Sequence, residues 1–202
     1  MTNRSVHGIS EGYTLSNWRD CIIVLMDLIG IKRRALMGDR RASKLMRAFH
    51  QLVRNEIDSG CRPVDQAYVW NDSVILLAYL DRRKGRYEKI MQAIDALKRK
   101  VDLLAPSYAI AVEGQTFPAY PNLDTSRVVT IKASSYAMAN CFKIEAKVKK
   151  NKIRNKFWYV DTRIAKKVPG AKADEWITVH MLPGGNPRTV YMHSSYLWAN
   201  LK

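Results

Sequence analysis

The stretch Cys21-Ile22-Ile23-Val24-Leu25-Met26-Asp27-Leu28-Ile29-Gly30 decides the fold. A cysteine and five apolar residues, several of them β-branched, run without a break into an aspartate. Such a run reads as a strand buried on both faces, and hence as a central strand of a sheet. Asp27 then falls at or near the end of that strand. A carboxylate is costly to bury there unless it is paired or holds a metal ion. Gly30 follows, where a backbone can come close to a ligand, and Lys32, Arg33 and Arg34 come next. An acid, a glycine and cations at one strand end point to a metal–phosphate site.

Downstream, apolar residues Leu45, Met46, Phe49, Leu52, Val53 and Ile57 share one face of a helix predicted from about Asp39 to Asp58. Gly60 and Pro63 close it. Residues 66–80 read as two strands meeting at Asn71-Asp72, a pair suited to a tight turn. The second arm, Val74 to Leu80, is almost wholly apolar and therefore central. A second helix is expected from Arg86 to Leu104, stopped by Pro106, followed by a strand over Tyr108–Val112. Further on, the pattern predicts a short strand at Arg127–Ile131 and a helix over Ser134–Lys149. Strands follow at Phe157–Val160 and Ile177–Leu182, then a turn at Gly184-Gly185-Asn186-Pro187 and an extended segment over Thr189–Trp198.

The order is β-α-β-β-α-β followed by an αββ part, an α+β chain of the split βαβ, ferredoxin-like kind. No repeat, linker or low-complexity tract divides it, so one domain is expected over 1–202. Its core covers about 20–165, with an N-terminal arm (1–19) and C-terminal strands (166–202). In a ferredoxin-like sheet the first strand lies beside the hairpin of the second and third. Asp27 and Asp72 therefore meet. Taken singly, Asp27 is equally a helix cap and Asp72 a turn residue; together they can hold Mg²⁺ or Mn²⁺, two ions per site, through oxygen ligands.

The totals agree with a polyanionic partner. The 202 residues carry a net charge of +16, and 47% are hydrophobic, normal for a folded chain. Three scattered cysteines, Cys21, Cys61 and Cys141, form neither a disulfide framework nor a zinc motif, which suits a reducing cytoplasm. No stretch reads as a signal peptide or a membrane span. The histidines His7, His50, His180 and His193 are scattered, and no serine, cysteine or histidine catalytic constellation is visible.

The pair Val-Leu-Met-Asp27-Leu-Ile-Gly30 and Val-Trp-Asn-Asp72-Ser-Val-Ile resembles the two metal-binding motifs of class III nucleotide cyclases, over roughly residues 20–150. In that family the first motif is an apolar strand ending in aspartate, two residues and a glycine. The second aspartate follows at a hairpin, and the 45-residue separation here is about the family's. The resemblance implies that Asp27 and Asp72 are metal ligands, with a backbone ligand from Ile29 and Gly30 near the phosphates. It also implies a nucleoside triphosphate substrate and a homodimer with shared active sites, with no need for nucleic acid. There are departures: Ile31 replaces the usual phenylalanine, Asn71 the usual glycine, and Tyr68 the lysine that reads a purine. The helix residues that reach the partner's site are best matched by Tyr136 and Asn140, while Lys132, Lys143 or Arg154 could supply the missing cation. Tyr68, with Phe49 or His50, would shallow the base pocket. This looks like the compact bacterial pyrimidine cyclases of anti-phage signalling, which make cyclic UMP or cyclic CMP.

Two other readings compete. A diguanylate-cyclase-like domain shares the fold, but Asn71-Asp72-Ser73-Val74 lacks the glycines, second acid and aromatic of that family's hairpin. A basic nucleic-acid-binding ferredoxin-like module would use the net charge, the aromatics Tyr68, Trp70 and Tyr79, and the basic run 147–156.

Overall fold

The computed structural model describes residues 18–59, 63–80, 86–118, 133–150, 158–167, 175–180 and 187–193. The elements run β1 (Arg19–Leu28), α1 (Ile31–Leu36), α2 (Arg40–Ser59), β2 (Gln66–Trp70), β3 (Ser73–Tyr79), α3 (Arg86–Leu104), β4 (Ser107–Pro118), β5 (Ala133–Ser135), α4 (Tyr136–Lys150), β6 (Trp158–Asp161), α5 (Thr162–Ala165), β7 (Glu175–His180) and β8 (Pro187–His193). One sheet takes the order β2-β3-β1-β4-β6-β8-β7, with β5 paired to β4. The first six main elements form the expected βαββαβ core, and the C-terminal strands extend the same sheet.

The opening run is central, as its composition requires. β1 lies between β3 and β4, antiparallel to both, and Cys21 to Leu28 are all buried. Its two faces separate by residue parity. Ile22, Val24 and Met26 join Val74, Leu76 and Ala78 under α2 and α3, against Phe49, Val53, Ile90, Ile94 and Val101. Ile23 and Leu25 join Ile75, Leu77, Ile110 and Val112 under α4, against Ala137, Cys141, Ile144 and Val148. Asp27 has the parity of the second set, so its carboxylate belongs to the α4 face.

Several details differ from the sequence reading. The basic residues after Gly30 form a short helix, α1, which is too brief to show a period. The fourth strand reaches Pro118 rather than ending at Val112. A second short helix, α5, starts at Asp161, whose carboxylate accepts a hydrogen bond from the Ile164 amide and caps it. Residues 1–17 of the N-terminal arm, the strand expected at Arg127–Ile131, residues 184–186 of the expected turn, and Cys61 lie outside the described residues. Cys21 and Cys141 are buried free thiols; burial pushes the Cys21 thiol up to about 12, so it stays protonated.

β4 and α4 approach closely at Gly114. A Cβ there would stand 2.9 Å from Ala137 Cβ and 3.5 Å from its Cα. Neither atom can rotate away, so Gly114→Ala must separate the helix from the sheet. The expected loss is about 1–3 kcal/mol, read as a lower urea midpoint at unchanged slope; an unchanged midpoint would contradict this packing.

Candidate active site

Asp27 and Asp72 come together at one end of the sheet. The turn between β2 and β3 is the reason. Asn71 adopts φ 48°, left-handed backbone that asparagine tolerates better than most residues, so the departure from glycine at this position is conformationally conservative. The Asp72 carbonyl accepts a hydrogen bond from the Leu28 amide at 2.9 Å, fastening the turn to the end of β1. The Asp72 carboxylate in turn accepts from the Lys32 amide at 3.1 Å in the first turn of α1. Gly30, at φ 76°, reverses the chain between β1 and α1 and supplies no side-chain cap of its own.

Register supplies the partners of Asp27. Across the sheet its neighbours are Ser73 on β3 and Tyr108 on β4. Ser73 Oγ donates to Asp27 Oδ1 at 3.1 Å, and Tyr108 OH donates to Asp27 Oδ2 at 2.6 Å. Two groups reach in from α4. Lys149 Nζ stands 3.4 Å from the same Oδ2 and 2.6 Å from Glu145 Oε1. Tyr108 OH also lies 3.1 Å from Glu145 Oε1; having one proton, it serves Asp27 over the shorter distance.

Both aspartates are buried, at 5% and 7% exposed. Burial raises the Asp27 pKa above its ordinary value. The Asp72 charge adds to this, while the Tyr108 and Ser73 hydrogen bonds and the Lys149 charge oppose it. Burial likewise raises the Tyr108 phenol far out of its titration range, helped by the Asp27 and Glu145 charges. Partial burial works against charge on Lys149, but the Glu145 hydrogen bond and the Asp27 charge outweigh it and hold the ammonium protonated.

A cleft of about 290 Å³ opens over this cluster, lined by Asp27, Gly30, Lys32, Arg33, Asp72 and Lys149 among others. A neighbouring pocket of about 190 Å³ shares Asp27, Lys32, Asp72 and Lys149 and adds Trp70, Phe142 and Glu145. Among the described residues the Lys32 and Arg33 side chains have no ion-pair partner, whereas Arg34 is paired with Asp39 at 2.7 Å and does not line the cleft.

The other expected site residues fall as follows. Ile29 and Gly30 line the cleft. Ile31 turns its side chain into the core under α2 and α3. Phe49 is fully buried on that same face, so the sheet separates it from the Asp27 carboxylate; it is a core residue and not part of a base pocket. His50 lines neither pocket; its Nε2–H donates to the Asn71 carbonyl and props the hairpin turn. Tyr68 is half-buried on the α4 face with Trp70, and its hydroxyl donates to Gln66 Oε1 at 2.5 Å. Asn140 and Lys143 are half-buried on α4. At 1.5 Å per residue, Asn140 lies roughly 13 Å and Tyr136 roughly 20 Å along the axis from Lys149. Asn140 does not line the cleft of its own chain. Lys132 and Arg154 lie outside the described residues. Tyr108, Glu145 and Lys149 were not among the expected site residues. Only the antiparallel register, which sets Tyr108 opposite Asp27, points to the first of them.

Among the described residues no three acidic, histidine or cysteine side chains cluster as a protein-only metal cage. No helix among them is long and apolar enough to cross a membrane.

No protein-family model and no curated protein matches the sequence. The fold does have solved counterparts. The chain is similar to the guanylyl cyclase Cya2, with a TM-score of 0.59 and 11% identity over 89% of this chain and 93% of that one. It is also similar to a bacterial light-regulated adenylyl cyclase, with a TM-score of 0.58 and 10% identity over 90% and 93%. A third is the catalytic core of a rhodopsin-guanylyl cyclase with converted specificity, in complex with ATPαS, with a TM-score of 0.59 and 8% identity over 88% and 97%. At such identities what is shared is the fold, and it is shared along nearly the whole chain.

Because its folded-state pKa is raised, ionised Asp27 costs the metal-free fold stability as pH climbs from about 3.8 through that raised value. The neutral variant Asp27→Asn is expected to be more stable than the parent at pH 7 in EDTA. Its advantage should shrink as pH falls from that raised value to about 3.8, and stay level below it. Thermal melts across pH check this; a variant less stable at every pH would contradict it.

Proposed function

We propose that the chain is a metal-dependent nucleotide cyclase, converting a nucleoside triphosphate to a 3′,5′-cyclic nucleotide and pyrophosphate. One observation carries the reading. Two buried carboxylates from separate elements, Asp27 and Asp72, share the floor of a cleft whose wall holds two cations, Lys32 and Arg33, that have no ion-pair partner among the described residues. The shared fold supports it.

The donor set suits Mg²⁺ or Mn²⁺. Two hard oxygen donors are too few for an all-protein cage, but Mg²⁺ usually takes one or two carboxylates and completes its shell with substrate phosphates and water. Asp27 and Asp72 would hold the ion, with a backbone oxygen from the Leu28–Gly30 segment within the same cleft lining. Bound there, the metal would supply charge neutralisation for the leaving pyrophosphate and activate the attacking 3′-hydroxyl. The chain's own residues do the rest. Ser73 and Tyr108 fix the Asp27 carboxylate from two sides. The Lys32 amide fixes Asp72. Lys32 and Arg33 offer charge-assisted hydrogen bonds to phosphate oxygens.

A homodimer belongs to the proposal. Asn140 and Tyr136 stand too far along α4 to serve their own cleft, and a second copy would bring them to it with two-fold symmetry. A pyrimidine substrate, UTP or CTP, is proposed from Tyr68. It stands where the resembled family carries its purine-reading lysine, and its bulkier ring would leave less depth for a base. Cytoplasmic anti-phage signalling is proposed from the resemblance to compact pyrimidine cyclases.

Incubation with each of ATP, GTP, CTP and UTP plus Mn²⁺ tests the activity. Cyclic product is expected, with a loss of at least about a hundredfold in Asp27→Ala and Asp72→Ala, the scale of removing a main electrostatic contributor. No product from any triphosphate, or an undiminished Asp27→Ala, would overturn the reading. Tyr68→Lys is expected to raise the ratio of purine to pyrimidine turnover; an unchanged ratio would remove Tyr68 from base selection.

A further inference from the structure

Lys149 gives the cleft a cation of its own, and its position bears on how many metal ions the cleft can take. An ionised carboxylate offers about four lone-pair sites, two on each oxygen. On Asp27 the Ser73 hydroxyl takes one at Oδ1. The Tyr108 hydroxyl and the Lys149 ammonium stand at Oδ2. About one site remains, on Oδ1. On Asp72, among the described residues, Oδ2 alone is engaged, by the Lys32 amide.

The Lys149 ammonium is not there by chance of a loose side chain. It is anchored one helical turn away by Glu145 at 2.6 Å, and Val148 beside it is buried against the sheet. Glu145 is itself within reach of Tyr108 OH. Asp27, Tyr108, Glu145 and Lys149 thus form one connected cluster drawn from β1, β4 and α4. A second divalent ion on Asp27 would have to enter at Oδ2, against the ammonium, where like charges a few ångströms apart repel strongly in a partly buried site.

We propose that Lys149 takes the place of one of the two cations, so that the cleft binds a single divalent ion, shared by Asp72 and Asp27 Oδ1, with the ammonium as the fixed second positive centre. This deepens the cyclase reading and rests on it. Lys149 is then a cation-positioning residue set by α4, and the metal stoichiometry of the site is written in the helix rather than in the two aspartates.

Native mass spectrometry of the full chain can count the ions, with Mn²⁺ and two probes: the α,β-methylene analogue of UTP, and inorganic tripolyphosphate as a base-free control. The parent is expected to carry one Mn²⁺ per bound triphosphate. Lys149→Gln should carry two, and Lys149→Arg, which keeps the charge, one. Lys150→Gln removes a neighbouring exposed charge and should leave the count at one. Lys149 is half exposed, so these variants should fold; circular dichroism checks that they do. Two Mn²⁺ in the parent, or one in both the parent and Lys149→Gln, would overturn the inference and leave the cyclase reading standing. No Mn²⁺ on the parent with either probe would overturn both.

Discussion

Two carboxylates are buried side by side at the end of this sheet, and the rest of the site is organised by the cost of keeping them there. An isolated buried charge is expensive, and two of the same sign are worse. The chain meets that cost piecemeal. Ser73 and Tyr108 lean on Asp27 from the flanking strands. The Lys32 amide steadies Asp72. Lys149 brings a countercharge from the opposite layer. What remains uncompensated is the mutual repulsion that helps raise the Asp27 pKa, and a divalent ion with phosphate oxygens would relieve it.

This arrangement depends on register more than on any single side chain. A one-residue slip of β1 would turn Asp27 toward α2 and α3, into a cluster made of Ile22, Val24, Met26 and Phe49. The apolar alternation on both faces of β1 prevents it. The same hydrophobic pattern that makes the strand central therefore also aims the acid. Above the sheet, Gly114 lets the start of α4 lie close against β4 at Ala137, and Glu145 and Lys149 reach down from its far end.

Much of this was legible in the sequence. The continuous apolar run told the place of β1, and the turn chemistry of Asn71-Asp72 told the hairpin. The element order then brought the two aspartates together, because long-range contact in a ferredoxin-like sheet follows from topology alone. The rest was hidden for physical reasons. Glu145 and Lys149 have the i,i+4 spacing of an ordinary solvated helix pair, and nothing local marks them as facing an active cleft. Tyr108 sits among alanine, isoleucine and valine and reads as one more sheet residue until register sets it opposite Asp27. Phe49 and His50 were placed near the site because α2 follows β1 in sequence. Strand parity puts Asp27 on the other face, leaving Phe49 to the core and His50 to the turn. The short helix α1 has six residues, too few for a period to show.

The proposed function stands on Asp27 and Asp72 together holding a divalent ion. A crystal soaked with Mn²⁺ and a non-cleavable triphosphate tests it most directly, through the anomalous signal of manganese. An anomalous peak is expected at ligand distance, roughly 2.0–2.3 Å, from a carboxylate oxygen of each aspartate, with triphosphate oxygens completing the shell. A peak elsewhere, or triphosphate bound in the cleft with none, would contradict it.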